Sequence, residues 1–432
     1  MVLAVLCSTS AGAKAKNVII MIADGWDYNQ TAASHYYTGK KPVYLDFKVK
    51  FPMSTFSASG IRNPYPNAKP GYDPAVAWVS DGSGGLKPNA AYLKGSATDS
   101  AAAATAMATG TKTTDGFVNM STDKKPLVTI GRLAKQAGKS AGSISSVQWS
   151  HATPAVFGDA HNASRGGYAE IAREMIHSDI DVIMGAGNPL FDDNGAPATK
   201  SYEFVGGQDT WKKLVENSIP NVRHIQTLKE FRKLANAKNP KGKYIGTVQA
   251  ASTLQQSRSA GDPQTVHFET LNRNVPTLAL MSKAAINVLS QNPKGFFLMI
   301  EGGAIDWSNH GNQKGRVIEE MIDFNDAVRL VTQWIKANGG WDDNLLIVTG
   351  DHDCGFLLGP NGETDIVDMG KGKIPGMKFF YGSHTNMIIP LFAQGAGSEL
   401  FQYYLSNETD PVRGKWIDNT SVFRVMKKQI VE

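Results

Sequence analysis

Asn17-Val18-Ile19-Ile20-Met21-Ile22-Ala23, followed at once by Asp24-Gly25, decides how the rest of the chain is read. An unbroken apolar run rich in β-branched residues suits a strand buried on both faces, as in a parallel sheet. The same design returns at residues 296–300, followed by Glu301-Gly302-Gly303, and at Asn344–Thr349, followed by Gly350-Asp351-His352. Two further apolar runs, at 181–184 and 387–392, lead into Gly-Ala-Gly and Gln-Gly-Ala-Gly. Helical patterns lie between them, at 127–137, Leu278–Leu289 and 317–335. Strands alternating with helices predict an α/β fold, a central, mostly parallel sheet with helices on both faces. Ligands of such sheets bind beyond the carboxyl ends of the strands. Three of these ends carry a carboxylate, Asp24, Glu301 and Asp351, which a purely structural strand end has little reason to do.

The chain has 432 residues, 41% hydrophobic and 19% charged, which suits one large α/β domain with insertions. A net charge of +5 is small for this length and the lysines are scattered, so nucleic-acid binding has little support. No apolar run reaches the ~20 residues needed to cross a bilayer. Two cysteines, Cys7 and Cys354, exclude a disulfide framework. Residues 1–15 read as an apolar segment followed by small residues with an Ala-x-Ala site at Ala13 or Ala15. They are expected to be the remnant of a secretory signal, with export to the periplasm or medium. Residues 16–432 then form the catalytic domain. Two stretches interrupt the alternation: 60–95, rich in Gly, Pro, Asn and Tyr and read as a long loop, and 188–260, mixed and basic with only short patterns.

Function starts at Ala97-Thr98-Asp99-Ser100, which opens a run of small helix-forming residues closed by Gly110. Ser100 is expected at a helix N-terminus with Asp99 or Thr98 as cap, where unpaired N–H groups and the helix dipole favour an anion. Alone, this is an ordinary capped helix. The surrounding inventory changes the reading. Glu301, Asp306 and His310 follow one strand, Asp306 and His310 being four apart and on one face if helical. Asp351-His352 and Ser383-His384-Thr385 add two more imidazoles. His with Asp suits zinc; carboxylate with hydroxyl suits magnesium. Cys354, two residues past His352, is assigned to the core, and His35 and His161 to structural roles.

Taken in series, Asp24-Gly25, Asp99-Ser100-Ala101, Glu301…Asp306…His310, Thr349-Gly350-Asp351-His352 and His384-Thr385 resemble the alkaline phosphatase family, in the family's order from Asn17 to about Gly397. The resemblance implies that Ser100 is a transiently phosphorylated nucleophile. It implies one zinc on Asp306, His310 and His384, a second on Asp24, Asp351 and His352, and a magnesium on Asp24, Thr153 and Glu301. The segments His151-Ala152-Thr153-Pro154-Ala155 and Asn162-Ala163-Ser164-Arg165 resemble those supplying the magnesium-site threonine and a phosphate-clamping arginine, Arg165. Small phosphate monoesters are the implied substrates and a homodimer the implied assembly.

Two departures qualify the resemblance. His151 and Trp307 stand where the best-known bacterial members carry aspartate and lysine, so they neighbour the third metal site; the 60–95 insertion is the other departure. Two rival readings remain: a phosphodiesterase of the same superfamily, and a non-catalytic periplasmic phosphate- or zinc-binding protein. An intact Ser100 speaks against the second.

Overall fold

The structure, a computed structural model, describes residues 14–60 and 65–431. The segment Met1–Ala13, on which the export reading rests, lies outside them. Ten strands form one sheet: β1 Asn17–Ala23, β2 Val49–Ser54, β3 Ser140–Gln148, β4 Val182–Ala186, β5 Val222–Ile225, β6 Lys243–Thr247, β7 Phe296–Gly302, β8 Asn344–Thr349, β9 Ile389–Gly395 and β10 Ile417–Asp418. Their order across the sheet is β10-β2-β9-β8-β1-β7-β3-β4-β6-β5. Every neighbouring pair is parallel except the two made by β9, which runs against both β8 and β2. The sheet is therefore mostly parallel, as the apolar runs predict, with one reversed strand.

The apolar run that opens the reading fills the centre. Val18, Ile20 and Ile22 enter one core layer, and Ile19, Met21 and Ala23 the other. The first layer is covered by α2 (Ser100–Thr109), α3 (Ala152–Phe157) and α7 (Thr420–Ile430). The second is covered by α1 (Tyr28–Thr38), α4 (Leu278–Leu289) and α6 (Lys314–Ala337). Burial of both faces is why these strands read as continuous rather than alternating apolar runs.

Local chemistry sets the ends. The helical pattern expected from residue 127 begins instead at Ile130, because Thr129 accepts a 3.0 Å hydrogen bond from the Arg132 amide and so caps the helix. Asp99 caps α2 through a 3.0 Å bond from the Ala102 amide, and Gly110 closes it with φ +73°, a conformation that favours glycine.

The stretch 188–260 carries β5 and β6, which form one edge of the main sheet. Residues 65–95 are not a bare loop. They contain two short helices, Pro74–Ala77 and Ala90–Leu93, and a hairpin of Trp78–Ser80 with Leu86–Pro88. Tyr72 and Trp78 both donate to Asp410 Oδ2 at 2.6 Å, and Tyr72, Trp78, Tyr92 and Leu93 pack with Phe356, Met387 and Trp416. This small third core, which includes Met387 and Ile388, fixes the insertion beside the carboxyl end of β8 and the amino end of the antiparallel β9.

One buried charge on α6 bears on stability. Burial, helped by Asp323 and Glu319, pushes the Glu320 carboxyl up to about 8, against the nearby Arg258 and Arg316. Unfolded, it titrates near ~4.3. The folded chain holds this proton more tightly, so the stabilisation is complete below the unfolded value and is lost as pH rises through about 8. Glu320→Gln should remove about 3 kcal/mol of the stability loss seen between roughly pH 6 and 9. Denaturant titrations of parent and variant across that window check this; parallel pH curves would contradict it.

Candidate active site

The residues singled out in the sequence converge beyond the carboxyl ends of the central strands. Asp24 directly follows β1, Glu301 is the penultimate residue of β7, and Asp351-His352 follow β8. The short helix α5 (Ala304–His310) follows β7 and supplies Asp306 and His310 from successive turns. Gly25 lets β1 turn away beneath it. Its φ is +69°, and a Cβ there would lie 2.8 Å from Asp306 Cα. The Gly25 amide also donates to Asp351 Oδ1 at 3.1 Å, which orients that carboxylate.

Three groupings result. In the first, His310 Nε2 lies 3.3 Å from Asp306 Oδ2 and His384 Nε2 lies 3.5 Å from Asp306 Oδ1. His310 Nδ1 donates to Gly382 O and His384 Nδ1 to Thr98 O, both at 2.8 Å. With Nδ1 protonated on each ring, both Nε2 lone pairs face inward, only 3.1 Å apart. Two lone pairs so placed, beside a carboxylate, need a cation between them. Burial alone would lower His384, yet Asp306 outweighs it and raises the imidazole to about 9. Burial likewise favours a protonated Asp306, yet His310 and His384 hold its carboxyl well below the usual range.

In the second, His352 Nε2 lies 3.2 Å from Asp351 Oδ2, 3.6 Å from Asp24 Oδ1 and 3.2 Å from the Ser100 hydroxyl. Burial and the charge of Asp351 push Asp24 well up, and burial pushes Asp351 up to about 6. The third brings Asp24 and Thr153 beside Glu301. Glu301 accepts from Ser145 and is pushed up by burial to about 8.

The unsatisfied atoms mark what these groups want. Asp24 Oδ1, Thr153 Oγ1, Glu301 Oε1, Asp306 Oδ1, Asp351 Oδ2 and His352 Nδ1 are buried without a hydrogen-bond partner. Buried orphans are costly and rare. Oxygen and imidazole donors gathered around converging carboxylates are the donor set of divalent cations, so the residues fit zinc and magnesium.

Above them opens a cavity of about 770 Å³. Ser100 stands on its floor at the first position of α2, and Arg165 on its wall, its Nη1 held 2.9 Å from Asp99 Oδ2. His151 and Trp307 share one side of the cavity with ring centroids 5.6 Å apart, and His151 stacks on Tyr168. Burial, then the charge of Arg165, drives His151 down to about 3, which leaves it neutral. His161 is placed elsewhere, tied to Glu174 and Leu127 O.

Lys94, Asp115, Gln256, Ser257 and Tyr381 also line this cavity, and no motif announced them. They arrive on the insertion and on loops whose positions depend on long-range packing. Cys354 is buried as expected, but its sulfur lies within 4.8 Å of donor atoms of Asp306, His310 and His384. Burial and Asp306 push this thiol well above its ordinary value.

Comparison with known proteins agrees with this picture. The chain is 32% identical over 276 residues to alkaline phosphatase 4 of Bacillus subtilis, a match covering 62% of this chain and about half (51%) of that relative. It is 30% identical over 374 residues to the alkaline phosphatase of Escherichia coli, covering 78% of this chain and 70% of the relative. Its fold matches that of the alkaline phosphatase from the Antarctic bacterium TAB5 with a TM-score of 0.67, 25% identity and coverage of 97% and 98% of the two chains. A family model described as "Alkaline phosphatase" matches residues 15–374, and the chain belongs to the alkaline phosphatase family.

Proposed function

We propose that this protein is a phosphate monoesterase that works through a phosphorylated Ser100, with two zinc ions and one magnesium as cofactors. The observation that carries the reading is the Ser100 hydroxyl, 3.2 Å from His352 Nε2, above a set of orphaned metal donors and beside Arg165. Asp306, His310 and His384 would hold one zinc, Asp24, Asp351 and His352 the other, and Asp24, Thr153 and Glu301 the magnesium. Bound there, these ions supply Lewis-acid stabilisation of the attacking and leaving oxygens in an in-line displacement.

The chain's own groups do the rest. Ser100 presents its Oγ to phosphorus at the start of α2, where free amides and the helix dipole favour the phosphoryl oxygens. Arg165, anchored by Asp99, presents a planar guanidinium that can hold two non-bridging oxygens at once. Attack forms the Ser100 Oγ–P bond and breaks the bond from phosphorus to the alcohol oxygen. Water then attacks phosphorus opposite Oγ; the new O–P bond forms as the Oγ–P bond breaks, a proton returns to Oγ and phosphate leaves, so two inversions give net retention. Dimer formation and export complete the proposal; the family resemblance supports both.

Phosphate release from a chromogenic monoester, measured beside a diester and a sulfate ester, tests this. A clear preference for the monoester is expected. Preferential diester cleavage would favour a phosphodiesterase, and phosphate binding without turnover a binding protein.

Trp307 should govern product affinity. An ammonium in its place would add a charge interaction with phosphate worth ~1 to 3 kcal/mol, which an indole does not offer. Trp307→Lys is expected to lower the phosphate inhibition constant by about tenfold and to slow turnover at alkaline pH if product release limits it. Because His151 touches Trp307, the double variant with His151→Asp belongs in the same series. Unchanged phosphate inhibition in both lysine-bearing variants would refute the charge argument.

A further inference from the structure

We propose that Cys354 is a fourth protein donor to the centre of Asp306, His310 and His384, giving that centre a thiolate arm for a thiophilic divalent cation such as zinc. The proposal rests on the metal-centre reading above and assigns a new ligand to it.

The placement comes from strand register. The two-residue strands Asp353–Cys354 and His384–Thr385 pair antiparallel, with Cys354 directly opposite His384 and Asp353 opposite Thr385. Directly opposed residues project to the same face. The parity is visible in the other pair, where the Thr385 hydroxyl donates to Asp353 on the reverse side. Cys354 therefore shares the face of His384, whose Nε2 points into the centre. One donor atom from each of Asp306, His310, Cys354 and His384 lies within 4.8 Å of all the others.

A second observation points to a ligand here. The Asp306 side chain is only 8% exposed, and its Oδ1 has no hydrogen-bond partner although it sits among the imidazole nitrogens and the thiol. The thiol has only a long 3.9 Å contact to the Asp306 carbonyl oxygen. Apart from the 3.5 Å ion-pair approach of His384 Nε2 to Asp306 Oδ1, neither atom makes a hydrogen bond of ordinary length.

The chemistry is simple. Binding forms a metal–sulfur bond as the S–H bond breaks, and the proton leaves to water; no electron is transferred. Donors of a tetrahedral zinc site, bound at about 2.0–2.3 Å, stand roughly 3.3–3.8 Å apart, so closure from the observed spacing needs side-chain adjustments of about an ångström. Three protein donors leave one position open; Cys354 would occupy it at rest, and a substrate oxygen then enters by expansion to five-coordination. Cys354 would thus retain the ion when substrate is absent and bias the centre towards zinc, cadmium or cobalt over magnesium.

The test uses the full chain, stripped of metal and titrated with cobalt(II). The parent and a Cys7→Ser variant should show a near-ultraviolet thiolate-to-cobalt charge-transfer band together with visible ligand-field bands. Cys354→Ser and Cys354→Thr should lose the first, keep the second, and release cobalt at least about tenfold faster. Visible bands without charge transfer in the parent would overturn the proposal and leave the metal centre standing. So would a charge-transfer band that survives in Cys354→Ser and disappears in Cys7→Ser. No cobalt uptake by the parent would overturn both. If the Cys354 variants fail to fold by circular dichroism, the spectra of the parent and Cys7→Ser alone still decide. Monoester turnover, assayed separately, keeps the fate of the enzymatic reading distinct.

Discussion

Ser100→Ala is expected to reduce monoester turnover by at least about a thousandfold while leaving fold and metal content intact. The structural half follows from the cap: Asp99, not Ser100, satisfies the first turn of α2, and alanine is the better helix former. Ser100 is 2% exposed and the described hydrogen-bond contact of its hydroxyl is with His352 Nε2, a nitrogen that keeps Asp351 Oδ2 at 3.2 Å when the hydroxyl is deleted. The catalytic half follows from bonding. Without Oγ no phosphoserine can form, and turnover is left to whatever the remaining centre achieves with water. Initial rates at matched metal content, with acid-quenched labelling by radioactive substrate, provide the measurement. Label should appear on Ser100 in the parent and nowhere in the variant. Turnover within tenfold of the parent, or label on another residue, would sink the assignment.

Chelation should abolish activity and lower the melting temperature together, and zinc with magnesium should restore both better than magnesium alone. Four carboxylates, Asp24, Glu301, Asp306 and Asp351, crowd one buried volume, and burial with mutual repulsion raises three of them. Cations remove that repulsion. Ions that bind only the folded chain stabilise it by mass action, about 2.7 kcal/mol at a hundred times the dissociation constant. Imidazole donors explain the need for zinc, since magnesium prefers oxygen ligands. His310→Ala should cost zinc and activity at once, because it removes one of two inward-facing Nε2 atoms. Elemental analysis beside thermal melts and rates checks this. Zinc near zero in fully active protein, or a His310→Ala variant with unchanged zinc and rate, would contradict it.

Much of the fold was legible because its signals are local. Strands buried on both faces must be apolar throughout, so β1, β7 and β8 stand out, and the carboxylates at their ends mark the side of the sheet where a site forms. Asp99, Ser100 and Gly110 likewise declare a capped helix through backbone chemistry that operates within a few residues.

What stayed hidden depends on partners far away in the chain. The reversal of β9 is set by its pairing with β8 and β2, not by its composition, which is as apolar as a parallel strand's. The strands β5 and β6 are short, and β5 alternates buried with exposed residues at the sheet edge, so the stretch 188–260 offered no continuous run to read. Lys94, Gln256 and Ser257 reach the cavity only because the insertion docks on Asp410 and the loop after β6 folds back. Cys354 is the sharpest case. A cysteine two residues beyond His352 looks like ordinary core, and only the pairing that sets it opposite His384 turns its sulfur towards Asp306. Residue types and spacing determined which groups could do chemistry here. Strand register and long-range packing, which no local period encodes, decided which of them meet.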